Sequence, residues 1–168
     1  MILFAFALAL VGVVSRLIEH TPNFAPITAL ALVSGYYLRT KWSFAVPLVA
    51  MLLSDLVIGF YSAPVMVSVY GSYLLAWVLA RRAGDVSGLA LRTLASSFAF
   101  FFITNGAVWA FTTMYAKTAG GLMQAYLMGI PFFRATFASD LLFTAAFVLV
   151  MEVALAWQAK RQNAYAKA

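Results

Sequence analysis

Asp55, Asn105 and Asp140 are the residues best able to do chemistry in this chain, because each sits inside a long apolar run. A carboxylate or amide in lipid must face a protein interior or a wet cavity, since an ionised acid facing hydrocarbon costs about 2.5–3.5 kcal/mol or more. Such groups either hold a small molecule or ion, or pair with a cation in the same protein. Both readings stand for each acid: ligand contact, or a structural pair such as Asp55 with Arg16 or Arg134. Asn105 reads equally as a ligand contact or as glue between helices. Tyr70, Tyr73 and Trp109 add hydrogen-bonding aromatics, each of which also suits simple packing.

The elements that must position these groups are helices in a membrane. Of 168 residues, 65% are hydrophobic and 10% charged, and the mean hydropathy is +0.95. A soluble domain is about half apolar and about a quarter charged. The composition therefore predicts a single all-α domain over residues 1–168, a polytopic membrane protein. Six apolar segments, near 2–17, 22–38, 43–61, 64–80, 93–113 and 134–157, each suit a transmembrane helix. Residues 114–133 are too apolar for a free loop, and a short interfacial or re-entrant helix is expected within 119–131. Thr21 or Asn23 is expected to cap the second helix, with Pro22 or Pro26 in its first turn.

Six spans place both termini on one side. That side carries Arg39, Lys41, Arg81, Arg82, Arg92, Lys160, Arg161 and Lys167, against Arg16, Lys117 and Arg134 on the other. The excess predicts cytoplasmic termini. It also accounts for the net charge of +6 without nucleic acid, since no basic stripe interleaved with aromatics occurs in a polar segment.

With direction fixed, depth follows. Asp55 and Asp140 lie about six residues, roughly 9 Å, below the outer ends of their helices, and Asn105 about eight residues, roughly 12 Å. Tyr70 falls in the same layer. Tyr61 and Trp109 are expected at its rim, with Arg16, Lys117 and Arg134 giving positive charge at the mouth. The polar stretch Arg16–Phe24, with the only histidine, should cover this layer from outside. His20, Thr21 and Pro22 read as gating residues, and Asn23 and Phe24 as facing a ligand.

Other chemistry is excluded. There is no cysteine, hence no disulfide, thiolate metal site or cysteine nucleophile. His20 beside Glu19 is too little for a metal site. Phe111 and Ala116 stand where a Walker loop before Lys117-Thr118 needs glycine. No HExxH or GxSxG occurs, and the glycine context of neither aspartate suits an intramembrane protease. No enzyme and no cofactor is expected. Near the inner end of the first helix, Ala5, Ala9 and Gly12 form a stripe of small residues. It reads as packing within the bundle or as a face for docking another membrane protein.

The segments HTPNFAPITALAL (20–32), SDLVIGF (54–60), ITNGAVW (103–109) and IPFFRATFASDLLFTA (130–145) resemble a bacterial group of membrane transport proteins. That group in turn resembles the substrate-binding S components of energy-coupling-factor (ECF) vitamin transporters. The resemblance covers most of the chain. It implies an S-component-like bundle with six helices, both termini inside, and an outward-facing site for a vitamin or cofactor precursor. It implies docking through the Ala5–Ala9 stripe onto a transmembrane coupling protein driven by ATPases. It also implies a ligand shell of Asp55, Asn105, Trp109, Arg134 and Asp140 under a lid at 20–24. The lack of cysteine or a second histidine argues against a metal-coordinating corrinoid site. The expectation is thus a small-molecule uptake protein. Its alternatives are an accessory subunit of a larger membrane complex, or an ion-coupled carrier using Asp55 and Asp140.

Overall fold

The computed structural model describes residues 2–18 and 23–165. Six α-helices make up the fold, and no strand occurs among the described residues. They are α1 (Ile2–Leu17), α2 (Ile27–Val33), α3 (Ala45–Ile58), α4 (Ala63–Arg81), α5 (Val86–Phe111) and α6 (Ala119–Tyr165). A π turn, Ser34–Leu38, continues α2, and a 3-10 turn, Lys41–Phe44, leads into α3. Pro64 starts α4 in the first turn, where its missing N–H costs nothing.

Three boundaries differ from the sequence expectation, each for a local reason. Helix α5 begins at Val86 rather than near residue 93, because the Asp85 side chain caps it, accepting from the Gly88 N–H at 2.6 Å. Helix α2 begins at Ile27 rather than at residue 22. Pro26 precedes it without a side-chain cap, and Asn23 takes a left-handed turn at φ 62°, a conformation asparagine tolerates. The short helix expected within 119–131 and the span expected at 134–157 are one helix, Ala119–Tyr165, with Pro131 inside it. A proline removes one intrahelical hydrogen bond. Packing on α5 carries the helix through it, with Phe133 against Phe98 and Phe101 at ring-centroid distances of 5.2 and 4.9 Å.

The core is α2. All seven of its residues are buried, and α1, α3, α4, α5 and α6 all pack against it. Its sequence, Ile-Thr-Ala-Leu-Ala-Leu-Val, is apolar on every side, which is the pattern of a helix surrounded by others. In an apolar solvent such packing depends on close approach rather than on expelling water. Gly12 of α1 provides it: a Cβ there would lie 2.4 Å from Leu30 Cδ1 and 2.9 Å from Ala50 Cβ. The small-residue stripe is therefore used inside the bundle. Gly12 is covered by α2 and α3 and is not presented outward. Ala5 and Ala9 are half-buried against the same core.

Four helical stretches, Lys41–Ile58, Ala63–Arg81, Val86–Phe111 and Ala119–Ala164, are long and apolar enough to cross a membrane. The first two helices are shorter. Ile27–Leu38 spans roughly 18 Å at 1.5 Å per residue, well under a hydrocarbon core of about 30 Å. The central helix thus stops short, and its neighbours rise past it. This shortfall creates the space described below. At the opposite end, Tyr37 donates to Glu152 at 2.6 Å, Trp77 donates to Ser43 at 2.8 Å, and Arg81 donates to the Thr40 carbonyl at 3.0 Å. These bonds close the bundle there.

Candidate binding cavity

A cavity of about 340 Å³ lies over the first turn of α2. Every helix contributes to its wall: Arg16 from α1, Ile27 and Thr28 from α2, Met51 and Ile58 from α3, Val69 and Tyr73 from α4, Phe100 from α5, and Thr136 and Asp140 from α6. The turns add Asn23, Ala25 and Tyr61. A second chamber of about 220 Å³ opens beside it between α4, α5 and α6, with Thr104, Asn105, Gly129 and Phe133 in its wall. The two share Asn23, Val69, Phe100 and Thr136, so they adjoin.

The two aspartates, expected to act alike, have opposite surroundings. Asp55 is buried, and Arg16 Nη2 lies 2.8 Å from its Oδ1. Tyr70 donates to its Oδ2 at 2.8 Å. Arg16 is held further by Ser54 Oγ at 2.7 Å and the Met51 carbonyl at 3.3 Å. A buried ion pair survives only when its remaining polar atoms are satisfied in this way. Asp55 therefore sits behind Arg16, and the guanidinium, not the carboxylate, reaches the cavity wall.

Asp140 lines the cavity itself. Ser97 donates to its Oδ2 at 2.6 Å, and Thr28 lies beside the same carboxylate. Its Oδ1 is buried without a hydrogen-bond partner. Among the described residues, no basic side chain pairs with it. Next to it, Ser139 ties α6 to the start of α2 by donating to the Ala25 carbonyl at 2.9 Å. Tyr61, outside the helices, has its hydroxyl pushed up to about 12 by burial and by the Asp55 charge, against the opposing effect of Arg16. It stays a neutral donor at the mouth.

The remaining expected site residues divide. Asn23 lines both chambers. Asn105 lines the second chamber, bonds back within α5 and packs closely against α6 at Gly129. Its Nδ2 donates to the Phe101 carbonyl at 2.9 Å, and a Cβ on Gly129 would lie 2.5 Å from its Oδ1. Phe24 leaves the cavity and packs on Phe143, ring centroids 5.7 Å apart. Trp109, expected at the rim, donates instead to the Ala116 carbonyl at 3.0 Å. With Lys117 over its ring, it braces the turn between α5 and α6. Arg134 is exposed and lines neither chamber, because it lies six residues from Asp140 and so on another face of α6. Tyr70 serves Asp55 rather than the cavity. The gating residues His20, Thr21 and Pro22 lie outside the described residues.

Sequence reading missed Thr28, Ser97, Phe100 and Thr136. A signal existed for two of them. Thr28 is the one polar residue in the α2 core, and Thr136 lies four residues before Asp140, on the same face.

The chain belongs to DUF6580, a family of unknown function, whose model matches residues 1–164. No curated protein and no solved structure matches it significantly.

Proposed function

We propose that this member of DUF6580 takes up a small molecule, binding it in the cavity over α2, in the manner of an S component. The observation that carries this reading is a cavity with convergent polar groups in its wall, ringed by all six helices of an otherwise apolar bundle. Natural interiors are close-packed, and an unfilled space with Arg16, Asn23, Thr136 and Asp140 in its wall is costly to keep in a bundle of this size. Ligand sites are of this kind: concave, mostly apolar, with a few convergent polar groups, and about 300–1,000 Å³ in volume. A vitamin or cofactor precursor falls in the range of sizes the two adjoining chambers accept.

On this reading the outer segment through Asn23 covers the cavity. The mouth faces the outside of a bacterial cytoplasmic membrane, and a transmembrane coupling protein with ATPases drives release. That partner meets a surface other than Gly12, which α2 and α3 cover. An ion-coupled carrier is the second reading. It rests on the unpartnered Oδ1 of Asp140 alone, since Asp55 is neutralised by Arg16.

The test is thermal stability of the purified protein in detergent against a panel of water-soluble vitamins and their precursors. At least one compound should raise the melting temperature by several degrees. Thr136→Phe, which fills the wall shared by both chambers, should abolish that shift. A shift unchanged in Thr136→Phe, or no shift across the panel, counts against the cavity as the site.

A further inference from the structure

We propose that the molecule held in this cavity carries a protonated amine, and that Asp140 is its counter-ion. This inference rests on the reading that the cavity binds a small molecule, and it adds the chemical class.

The two membrane acids differ in what neutralises them. Asp55 has a guanidinium at 2.8 Å and a tyrosine hydroxyl at 2.8 Å. Asp140, equally buried at 1% exposure, has the hydroxyls of Ser97, on Oδ2, and Thr28 beside it, no cation, and no hydrogen-bond partner on Oδ1. A buried carboxylate is tolerated when paired and hydrogen-bonded, and is otherwise penalised heavily. The same protein completes one such group with a cation and leaves an oxygen of the other unpartnered, in a residue that lines the cavity.

Charge counting gives the sign. Among the described residues that line the cavity, Arg16 and Asp140 are the charged ones. The Arg16 charge is committed to Asp55, so the titratable group left without a counter-ion is the acid Asp140, which a bound cation would hold ionised. An anionic ligand would add repulsion, and a neutral one would leave Oδ1 without its ion pair. A cation completes it.

The rest of the wall selects an organic ammonium over a bare metal ion. Tyr73 and Phe100 both line the cavity and stack with ring centroids 5.4 Å apart and planes 30° from parallel. Aromatic faces attract ammonium groups. Beside Asp140 the cavity wall offers a few hydroxyls, those of Thr28, Tyr73 and Thr136, and Ser97 already donates to its Oδ2; this falls short of the six or more oxygen ligands that a hard cation such as calcium takes. A primary ammonium needs only three acceptors. Asp140 Oδ1 offers one, and the threonine oxygens offer the others. Thr136 gives its own proton to the Phe132 carbonyl at 3.1 Å, which leaves its lone pairs free. A cavity of about 340 Å³ then leaves room for an apolar or aromatic body.

The experiment uses the full chain in lipid nanodiscs and three matched probes: phenethylamine, 2-phenylethanol and 3-phenylpropionate. Saturation-transfer NMR and titration give relative affinities. The amine should bind at least tenfold more tightly than the alcohol, and the carboxylate weakest. Asp140→Asn should remove that preference, while Asp140→Glu should keep most of it. The wild-type ratio of amine to alcohol tests the same point without any substitution, should Asp140→Asn fail to fold. If the alcohol or the carboxylate matches the amine, or Asp140→Asn leaves the amine preference intact, the amine assignment is overturned while the cavity remains a binding site. If none of the three binds, and no vitamin gives the Thr136-dependent thermal shift, the binding reading falls and this inference with it.

Discussion

Arg16 Nη2 lies 2.8 Å from Asp55 Oδ1, across two helices and 39 positions of sequence. This pair fixes the α1–α3 contact at the cavity mouth and removes one of the two membrane acids from ligand chemistry. Removing one partner strands the other. Asp55→Ala should destabilise the protein by roughly 2–4 kcal/mol, the range for breaking a buried pair, moderated because Arg16 keeps some exposure. The double variant Arg16→Met with Asp55→Leu should recover most of that loss. Reversible unfolding in mixed micelles measures both, and additive losses would show that the pair is not coupled.

Tyr70→Phe tests the same network from α4. It deletes the hydrogen bond to Asp55 Oδ2 and little volume. The expected loss is about 1.5–3 kcal/mol, the range for a bond to a charged group. A loss under about 0.5 kcal/mol would mean that Arg16 satisfies the carboxylate by itself.

Gly12 sets the distance between α1 and the central helix. Gly12→Ala should cost about 1–3 kcal/mol by overpacking, because its Cβ meets Leu30 and Ala50 at 2.4 and 2.9 Å. Combining it with Leu30→Ala should relieve part of the cost. If Gly12→Ala is neutral in the same unfolding assay, α1 does not pack this closely.

Asn105 and Gly129 make the corresponding contact between α5 and α6. Gly129→Ala should destabilise by about 1–3 kcal/mol, since the new Cβ would sit 2.5 Å from Asn105 Oδ1. Asn105→Ala in the Gly129→Ala background should restore stability relative to Gly129→Ala alone. A further loss in the double variant would show that the amide is needed for more than filling this contact.

Much of the architecture is legible in the chain because apolar runs and their breaks are written in composition. The helical class and the run of six helices follow from that alone. What escapes is whatever depends on neighbours. The start of α5 was hidden because Asp85 looks like a loop acid until its carboxylate meets the Gly88 N–H. The continuity of α6 was hidden because Gly120-Gly121 and Pro131 read as breaks, whereas packing on α5 carries the helix through them. In the cavity, depth counting brings Asp140 and Asn105 to the wall, and the covering stretch brings Asn23, but depth says nothing of direction around a helix. Trp109, Arg134 and Phe24 are at a plausible height and point elsewhere. The difference between Asp55 and Asp140 was not readable at all, since only the fold decides which acid Arg16 reaches.

A water-accessible cavity lies over the short central helix, within the apolar bundle. The chain has no cysteine, so single cysteines report without background. Thr136→Cys faces the cavity, and Leu142→Cys, six residues or more than one turn further along α6, lies on the exposed apolar surface. Both are tested in membranes with a membrane-impermeant cationic methanethiosulfonate added from outside. The account predicts rapid labelling of Thr136→Cys and none of Leu142→Cys. Equal inertness of the two would contradict it.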